Sequence, residues 1–276
     1  MPCPYCAAPT TTEMARRTTR GYRMFRCRAC RQTCNERTNT PFNRLQVPTD
    51  IAVLVVLWRL QYKLSLRNVA EMFLTRGFTF THETVRAWEE RLAPLLTAQL
   101  KARRRGKAGR TWHVDETDVQ VAGRWCYLYY RAIDSDGNLV ETMLSKTRDM
   151  AAAKPAKRFF AYALQTVGQA PEKVTTDGHD SYPRAVRETL GPNVCHGASR
   201  SMNNRIEQDH RGIKQRSYPL RGFGSFDSAA RFSTAHDELR DHFRPRTRFN
   251  EAVSLADQRR LFQERWGAVC ALLQAA

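Results

Sequence analysis

Apolar residues recur with a helical period between residues 49 and 92. This pattern predicts three helices, at residues 49–62, 66–74 and 81–92. Helices joined by short turns are typical of a helix-turn-helix domain, in which the first residues of the last helix contact base edges in the major groove. We predict this domain over residues 47–98, with packing of the helices without DNA as the alternative. The residues presented to DNA would be His82, Thr84 and Arg86.

From Thr111 onwards apolar and polar residues alternate with a period of two, which predicts strands. The predicted elements are strands at 111–121, 124–133 and 139–145, a helix at 151–166, a strand at 173–176, a helix at 182–190, a strand at 194–196 and a helix at 204–216. This order is that of the ribonuclease-H-like α/β fold, although other α/β sheets share parts of it. We predict such a domain over residues 111–245. An amphipathic helix within residues 246–276 is predicted to close the core or to form a dimer contact.

Basic charge is concentrated in the first part of the chain. Residues 1–110 contain 21 Lys and Arg against 7 Asp and Glu, whereas residues 111–276 contain 24 against 20. Such an excess is suited to a polyanion, either the phosphates of DNA or an anionic membrane surface. Residues 99–110 are predicted to form a basic linker that lies along phosphates or is simply a solvated tether. Its candidate DNA-binding residues are Arg103, Arg104 and Arg105.

No stretch of the sequence is long and apolar enough to span a bilayer. The longest apolar run, residues 51–58, is far shorter than the roughly 20 residues that a spanning helix needs. The amino terminus also lacks the charged and then apolar pattern of a secretory signal. We therefore expect a cytoplasmic protein that associates with the nucleoid and has no membrane partner.

Four of the eight cysteines form two Cys-x-x-Cys pairs near the amino terminus, and twenty residues separate the pairs. Two such turns supply four thiolates in the tetrahedral arrangement of a closed structural Zn²⁺ site. The predicted zinc ligands are Cys3, Cys6, Cys27 and Cys30. We therefore predict a zinc ribbon over residues 1–46, in which arginines surround Tyr22 and Phe25 in a pattern suited to DNA contact. Folding of the amino terminus or contact with protein is the alternative role.

Three acidic residues fall where a ribonuclease-H-like fold collects charge. Asp115 lies in the middle of the first strand, Asp177 follows the fourth strand, and Glu207 lies on the last helix. Phosphoryl transfer at DNA uses two Mg²⁺ ions held by carboxylate oxygens. These acids are therefore the predicted catalytic and Mg²⁺-binding residues, with Mn²⁺ as an alternative ion. Strand parity places Glu116 and Asp118 on the opposite face from Asp115, so neither is expected to share its metal.

Each of the three acids also has an ordinary structural alternative. Asp115 would be a strand-edge acid, and Asp177 would be only the first residue of an Asp-Gly turn. Glu207 would close a capping box with Asn204, which lies three residues before it. The three acids together, in this order, are harder to explain in structural terms alone.

Longer blocks of sequence carry a more specific signal. They are Cys27-Arg-Ala-Cys30, Asn35-Glu-Arg-Thr-Asn-Thr-Pro-Phe42, Trp112-His-Val-Asp-Glu-Thr117, residues 127–137, 144–149 and 176–178, and Asn203-Asn-Arg-Ile-Glu-Gln-Asp-His-Arg-Gly-Ile-Lys-Gln-Arg216. With these blocks the chain resembles bacterial insertion-sequence transposases of the DDE type, in particular the insertion-sequence-six family, whose members carry a zinc ribbon. The resemblance implies an Mg²⁺-dependent ribonuclease-H-like core with the triad Asp115, Asp177 and Glu207.

The resemblance also implies what such an enzyme does with DNA. The front domains would bind double-stranded DNA at terminal inverted repeats, and the core would nick 3′ ends and transfer them to target DNA, forming cointegrates. Lys214 lies two helical turns after Glu207 and matches the basic residue that these enzymes place against end DNA, with a solvated lysine as the alternative. Arg211 is the second basic candidate on this helix. Because transposition joins two ends, we expect at least a homodimer on DNA.

Two other functions remain open. A transcription regulator or transposase relic would keep the DNA-binding front end without catalysis, and convergence of the three acids is the feature that distinguishes it. A ribonuclease H or structure-specific nuclease would cut without strand transfer. A tyrosine recombinase is disfavoured because metal-assisted transfer needs no covalent protein intermediate. Its candidate nucleophiles would be Tyr127, Tyr129, Tyr130 and Tyr182.

Overall fold

The computed structural model of the protein describes residues 1–146, 153–198, 204–245 and 253–275. Its strands are β1 (Thr11–Arg17), β2 (Arg23–Cys27), β3 (Thr33–Asn35), β4 (Thr111–Val121), β5 (Arg124–Asp134), β6 (Leu139–Ser145), β7 (Lys173–Thr176) and β8 (Cys195–Ala198). Its helices are α1 (Thr49–Gln61), α2 (Leu66–Leu74), α3 (His82–Arg104), α4 (Lys154–Val167), α5 (Ser181–Leu190), α6 (Asn204–Ser217), α7 (Phe226–Phe243) and α8 (Leu255–Ala275). The predicted helix start at 151–152, the block ends at 147–149 and Asn203, and residues 246–252 lie outside the described residues.

Strands β4 to β8 form a five-stranded sheet in the order β6-β5-β4-β7-β8. β5 pairs antiparallel with β4 and β6, whereas β7 is parallel to β4 and β8 is parallel to β7. Three antiparallel strands followed by two parallel strands, with helices in the connections, are the arrangement of a ribonuclease-H-like sheet. The predicted α/β ribonuclease-H-like fold is therefore confirmed.

The side chains of β4 alternate between the two faces of the sheet. Trp112 and Val114 pack in the apolar core formed with α4 and α5, whereas Val119 packs in the core formed with the helices on the other face. Because side chains alternate along a strand, Asp115 faces the α6 and α7 side and Glu116 faces the α5 side. The central strand thus presents one acid to each face at its midpoint.

The front helices and the sheet share one core, although the sequence predicts that a linker at residues 99–110 separates them. α3 continues to Arg104 instead of ending near residue 98, and only residues 105–110 connect it to β4. Apolar residues of α1, α2 and α3 pack in one cluster with α7, α8 and one face of the sheet. The linker prediction is therefore wrong over residues 99–104, because the end of α3 is held by packing that the local sequence does not reveal.

Helix α7 is not predicted by the sequence pattern, although it packs against α1, α3 and β6. Its buried face mixes apolar residues with polar ones, so the apolar stripe that marks an amphipathic helix is interrupted. The buried polar residues of this face are Ser233, His236, Asp237, Glu238 and Asp241. These charges find their partners on distant elements, as the pair between Arg104 and Glu238 illustrates. Tertiary contacts therefore stabilise a helix that hydrophobic periodicity does not detect.

The amino-terminal strands form a separate antiparallel sheet in the order β1-β2-β3. Phe25 is buried in it, and the Tyr22 hydroxyl accepts a hydrogen bond of 2.8 Å from the Thr49 amide at the start of α1. These two aromatic residues therefore have structural roles, which corrects the expectation that they contact DNA. The arginines around them are exposed: Arg16, Arg17, Arg20, Arg23 and Arg26.

The front helices begin at well-formed caps. Ser65 and Asn68 form a reciprocal capping box at the start of α2, and the Thr81 hydroxyl accepts a hydrogen bond of 3.3 Å from the Thr84 amide at the start of α3. The predicted bounds of α1 and α2 agree with the structure to within one residue. Within the described ranges, no helix combines the length and the apolar character that crossing a membrane requires.

Candidate active site

Strand register brings two of the predicted catalytic acids together. In the parallel β4–β7 ladder Trp112 is opposite Val174 and His113 is opposite Thr175. Continuing this register by two residues sets Asp177, just past the end of β7, beside Asp115 in the middle of β4. The Asp177 carboxylate is exposed, and its Oδ1 accepts a hydrogen bond of 3.1 Å from the His179 amide. Asp177 therefore takes part in its turn and also lies beside Asp115 by strand register.

Helix α6 places Glu207 over the same face of the sheet. Glu207 lies in the first turn of α6, and one turn later the His210 Nδ1 atom is 3.6 Å from the Asp115 Oδ2 atom. The helix and the strand enclose a cleft of about 620 Å³. Its lining residues are Asp115, Glu116, Thr117, Glu207, Gln208, His210, Arg211 and Lys214. The proposed capping box with Asn204 involves a side chain outside the described residues.

The pKa of Asp115 is affected by the other acids of the site. Its pKa is raised to about 7, first by burial and then by the negative charges of Glu116, Asp177 and Glu207. The Asp115 carboxyl group is thus repelled by neighbouring acids, and the imidazole beside it is neutral. Such an excess of negative charge is the condition under which a divalent cation binds well.

The three acids converge on one region without closing into a tight cage. Among the described residues, the only three or more metal-ligating side chains whose ligand atoms all lie within 4.8 Å of one another are the four predicted zinc ligands. Asp115, Asp177 and Glu207 therefore lie near enough for mutual repulsion but farther apart than the thiols. Repulsion between unneutralised carboxylates opposes closer approach.

Glu116 and Asp118 lie as strand parity predicts. Glu116 accepts a hydrogen bond from the buried hydroxyl of Tyr182 on α5, on the opposite face from Asp115. Burial raises the pKa of Glu116 as well. Asp118 is exposed on the same strand face as Glu116. Glu116 nevertheless borders the cleft beside Asp115, so its charge contributes to the site even though its side chain is directed to the other face.

A buried network of ion pairs holds α6 on the sheet, and the sequence patterns give no indication of it. Arg131 lies opposite Asp115 in the β4–β5 register and contacts the carboxylates of Asp209 on α6 and Asp237 on α7. Arg240 adds an ion pair of 2.8 Å to Asp209. The Tyr129 hydroxyl donates a hydrogen bond to Asp237. Two cations and two anions thus balance beneath Glu207.

In this network the effect of ion pairing on the pKa values outweighs the effect of burial. The pKa of Arg131 is raised because the charges of Asp237 and Asp209 outweigh the effect of burial. The pKa of Asp237 is lowered because Arg131 outweighs burial in the same way. Breaking a buried pair from one side leaves an uncompensated charge and is costly. These partners are identified by their contacts in the folded chain, and no motif in the sequence pairs them.

His210 is a further residue of the cleft that the sequence patterns do not single out. It is almost completely buried, and its pKa is lowered to about 3, first by burial and then by the positive charges of Arg131 and Lys214. The imidazole is therefore neutral at physiological pH. Its position, three residues after Glu207 on one helical face, places it between that acid and Asp115.

The predicted zinc ligands are gathered in the amino-terminal sheet. The Sγ atoms of Cys3 and Cys30 are 3.6 Å apart, as are those of Cys6 and Cys27, and all four lie within 4.8 Å of one another. Tetrahedral Zn²⁺ with Zn–S bonds of about 2.3 Å separates its sulfurs by ~3.8 Å, so the thiols fit this ion. Cys34 is buried and lies outside the group, as expected.

The residues predicted to contact DNA fall on separate surfaces. His82, Thr84 and Arg86 lie at the start of α3 and do not line the acidic cleft; Glu83 lies 3.1 Å from the His82 Nε2 atom and forms an ion pair of 2.8 Å with Arg86. Arg211 and Lys214 line the cleft itself. The structure thus separates a helix-start surface from a cleft surface.

Arg104 is not available to DNA, although its neighbours Arg103 and Arg105 are exposed. Its guanidinium donates two hydrogen bonds, of 2.7 and 2.6 Å, to the carboxylate of Glu238, and two more to main-chain oxygens of β6. The prediction that Arg104 binds DNA is therefore wrong. Three consecutive arginines look alike in sequence, and helix rotation directs only the middle one into the core.

The tyrosines considered as nucleophiles have packing roles where they are described. Tyr129, Tyr130 and Tyr182 are all buried, and Tyr130 stacks on Phe159 with ring centroids 5.6 Å apart. The side chain of Tyr127 lies outside the described residues. The buried hydroxyls disfavour a tyrosine nucleophile, as expected from the sequence.

Comparison with known proteins identifies the domain in which this site lies. A family model described as a DDE domain matches residues 109–246. The chain is 36% identical over 182 residues to the transposase for the insertion sequence-like element IS431mec of Staphylococcus aureus, covering 63% of this chain and 77% of that protein. Identity and coverage are the same for the Staphylococcus aureus transposase for insertion sequence element IS257 in transposon Tn4003.

A solved structure with similarity is the HTLV-2 integrase catalytic core domain in complex with magnesium, at 13% identity and a TM-score of 0.35, covering 57% of this chain and 99% of that chain. The family assignment rests instead on the family model, whose matched range includes the three acids, and on the two transposases. The chain therefore belongs to the DDE transposases of insertion sequences, of the insertion-sequence-six type.

Proposed function

We propose that the protein binds the terminal inverted repeats of an insertion sequence and, with Mg²⁺, nicks DNA to expose 3′-hydroxyl ends and transfers them to target DNA, producing cointegrates. As a DDE transposase it is a metal-dependent enzyme that cleaves and transfers DNA strands. The observation that supports the proposal most directly is the cleft in which Asp115 is repelled by Asp177 and Glu207 beside two basic side chains of α6.

Asp115, Asp177 and Glu207 would hold the divalent ions. The donor set fits Mg²⁺ because it consists of carboxylate oxygens, which this hard cation prefers. The raised pKa of Asp115, caused by burial and by neighbouring acids, is a repulsion that a divalent cation would relieve. When bound, the ions stabilise charge on the attacking and leaving oxygens of an in-line displacement.

The basic side chains of α6 supply what the carboxylates lack. A phosphodiester carries negative charge and would be repelled by Asp115 and Glu207 alone. Lys214 and Arg211 line the same cleft and would hold the phosphate in place through charge-assisted hydrogen bonds. Their location two turns and one turn after Glu207 keeps them on the side of α6 that faces DNA.

The front of the chain would recognise the repeats. The ribbon exposes eight of its nine arginines, and the start of α3 exposes Arg86. Contacts from such arginines to phosphates would supply affinity, and the first residues of α3 would supply sequence preference. Zn²⁺ held by the four cysteines would keep the ribbon folded. Joining two element ends calls for at least two copies of the chain on DNA.

A strand-transfer assay tests this function directly. Labelled DNA carrying the neighbouring terminal repeats would be incubated with Mg²⁺ and a supercoiled target, using wild type, Asp115→Ala and Glu207→Gln. We expect joined product from wild type and from neither variant. Asp118→Asn is the matched control, because it removes an exposed carboxylate from the same strand, and it should retain joining to within about twofold.

The other functions give different products in the same assay. Cutting without joining would indicate a nuclease. Binding of the repeats without cutting or joining would indicate a regulator or relic, and the proposed metal site would then be withdrawn. The length of DNA joined, resolved on a denaturing gel, would separate cointegrate formation from excision of both strands.

A further inference from the structure

Two large aromatic side chains lie exposed at the end of α6, the helix that lines the catalytic cleft. Trp125, at the start of β5, is 49% exposed and Tyr218, just after α6, is 55% exposed. Their ring centroids are 5.8 Å apart, and the rings meet edge to face at 78°. Trp125 is the only one of the five tryptophans that is exposed. Exposed aromatic pairs of this kind are unusual because burial of such rings is strongly favourable.

The fold holds this pair in a rigid setting. The segment after Tyr218 runs back along the β4–β5 hairpin, where the Phe223 amide donates to the Gln120 oxygen at 3.0 Å and the Ala122 amide donates to the Phe223 oxygen at 2.7 Å. Gly222 permits this approach, because a Cβ atom there would lie 2.7 Å from the Gln120 oxygen. The two rings are therefore presented by hydrogen-bonded backbone and not by a loose loop.

The pair is continuous with the proposed DNA-binding side of the cleft. The Tyr218 amide donates a hydrogen bond of 3.1 Å to the main-chain oxygen of Lys214, which lines the cleft. Arg124 and Arg221 are exposed beside Trp125 and Tyr218 in the chain. Asp118, on the neighbouring strand, is the one exposed acid of the β4 segment. Positive charge around exposed rings is the combination with which proteins bind bases and phosphates of single strands.

We propose that Trp125 and Tyr218 form a stacking platform for unpaired bases of the DNA that enters the cleft. This inference rests on the proposed strand-transfer function, which needs a cleaved end held at the site. An aromatic ring stacks on a base whose face is uncovered, whereas bases within a duplex are covered by their neighbours. The platform would accept any base, because every base has a π-face.

Equilibrium binding without Mg²⁺ tests the platform separately from catalysis. Fluorescence anisotropy would compare full-length wild type, Trp125→Ala and Tyr218→Ala on labelled single-stranded (dT)12 and on a blunt duplex of equal length. We expect each variant to lose about 5- to 100-fold in affinity for (dT)12 and less than about twofold for the duplex. Trp125→Phe should restore most of the affinity, because it keeps a ring.

Tyr162→Ala is the matched control, because it removes an exposed tyrosine from α4, and it should leave both affinities unchanged. Equal losses on duplex and single strand, or no loss at all, would overturn the platform. If either alanine variant changed the sedimentation of the DNA-free protein but not its affinity for (dT)12, the pair would instead be a contact between copies of the chain. If the wild type joined no DNA but the variants still lost affinity for (dT)12 alone, the platform would stand and the strand-transfer function would be refuted.

Discussion

The ribbon and the cleft both gather metal-binding side chains, but they are assembled over very different distances. In the ribbon, two short Cys-x-x-Cys turns place four Sγ atoms within 4.8 Å of one another. At the active site, the three acids come from a central strand, the end of a second strand and a helix, so that Glu207 lies 92 residues after Asp115 in the chain. No described trio of acids reaches the closeness of the thiols.

This difference shows what each site depends on. The thiol site is built by local turns and one hairpin, so the spacing of the cysteines nearly determines it. The acidic site depends on the register of β4 and β7 and on the docking of α6 through the network of Arg131, Asp209 and Asp237. The three carboxylates also repel one another, which contributes to the raised pKa of Asp115.

The largest effect on activity should come from replacing Asp177, which the register of β4 and β7 places beside Asp115. Asp177→Asn should lower the rate of DNA nicking by at least about 10²- to 10³-fold, the loss typical when charge stabilisation of a transition state is removed. The measurement is initial nicking rate on end-labelled repeat DNA with Mg²⁺. Asp180→Asn, an exposed acid three residues later, is the control. Equal inactivation by both variants would contradict the register-based assignment.

The next largest effect should come from loss of zinc, on which the ribbon depends and the acidic site does not. Cys27→Ser should release the ion and lower affinity for the terminal repeats at least about 10-fold, because the ribbon's fold depends on the bound metal. Cys34→Ser removes another buried thiol outside the group and should retain one zinc per chain. Metal content by atomic emission, together with repeat binding by anisotropy, checks both. Zinc retention by Cys27→Ser would break the comparison.

The buried network should affect the cleft without forming part of it. Asp209→Asn leaves Arg131 and Arg240 with one carboxylate fewer, and we expect unfolding free energy to fall by up to about 3 kcal/mol. If the network positions α6, the Mg²⁺ concentration for half-maximal nicking should also rise several-fold. Asp257→Asn, which removes an exposed acid from α8, should change neither. Lower stability with unchanged Mg²⁺ dependence would assign Asp209 a purely structural role.

The smallest effect should be the pH dependence of the metal-free protein. Because the pKa of Asp115 rises to about 7 on folding, the folded state binds the proton more tightly, and this group's contribution to stability should decline as pH rises from about 4 to about 7. Asp115→Asn should therefore stabilise the metal-free protein above pH 7 by about 2 kcal/mol, after allowance for partial exposure. Thermal unfolding across pH measures it, and Mg²⁺ should stabilise only the wild type. Destabilisation by this variant above pH 7 would contradict the repulsion described for the cleft.

Sequence periodicity predicted the sheet more completely than the helices around it. The strands at Thr111–Val121 and Leu139–Ser145 have the predicted bounds, because alternation reports which side of a strand is buried. Helix α7 is not predicted because polar and charged residues, paired on other elements, interrupt the apolar residues of its buried face. The basic residues at the end of α3 predict a linker for a related reason, because the sequence does not show that the Arg104 guanidinium is buried.

The sequence by itself determined the four thiols, the face of β4 that carries Asp115, and the DDE family to which the chain belongs. Each of these depends on spacing within one segment or on the identity of a motif. Tertiary structure alone decided which of three adjacent arginines is buried, where Asp177 lies relative to Asp115, and which charges hold α6. The reason is that ion pairing and strand register join residues that are distant in the chain, and local periodicity contains no information about such partners.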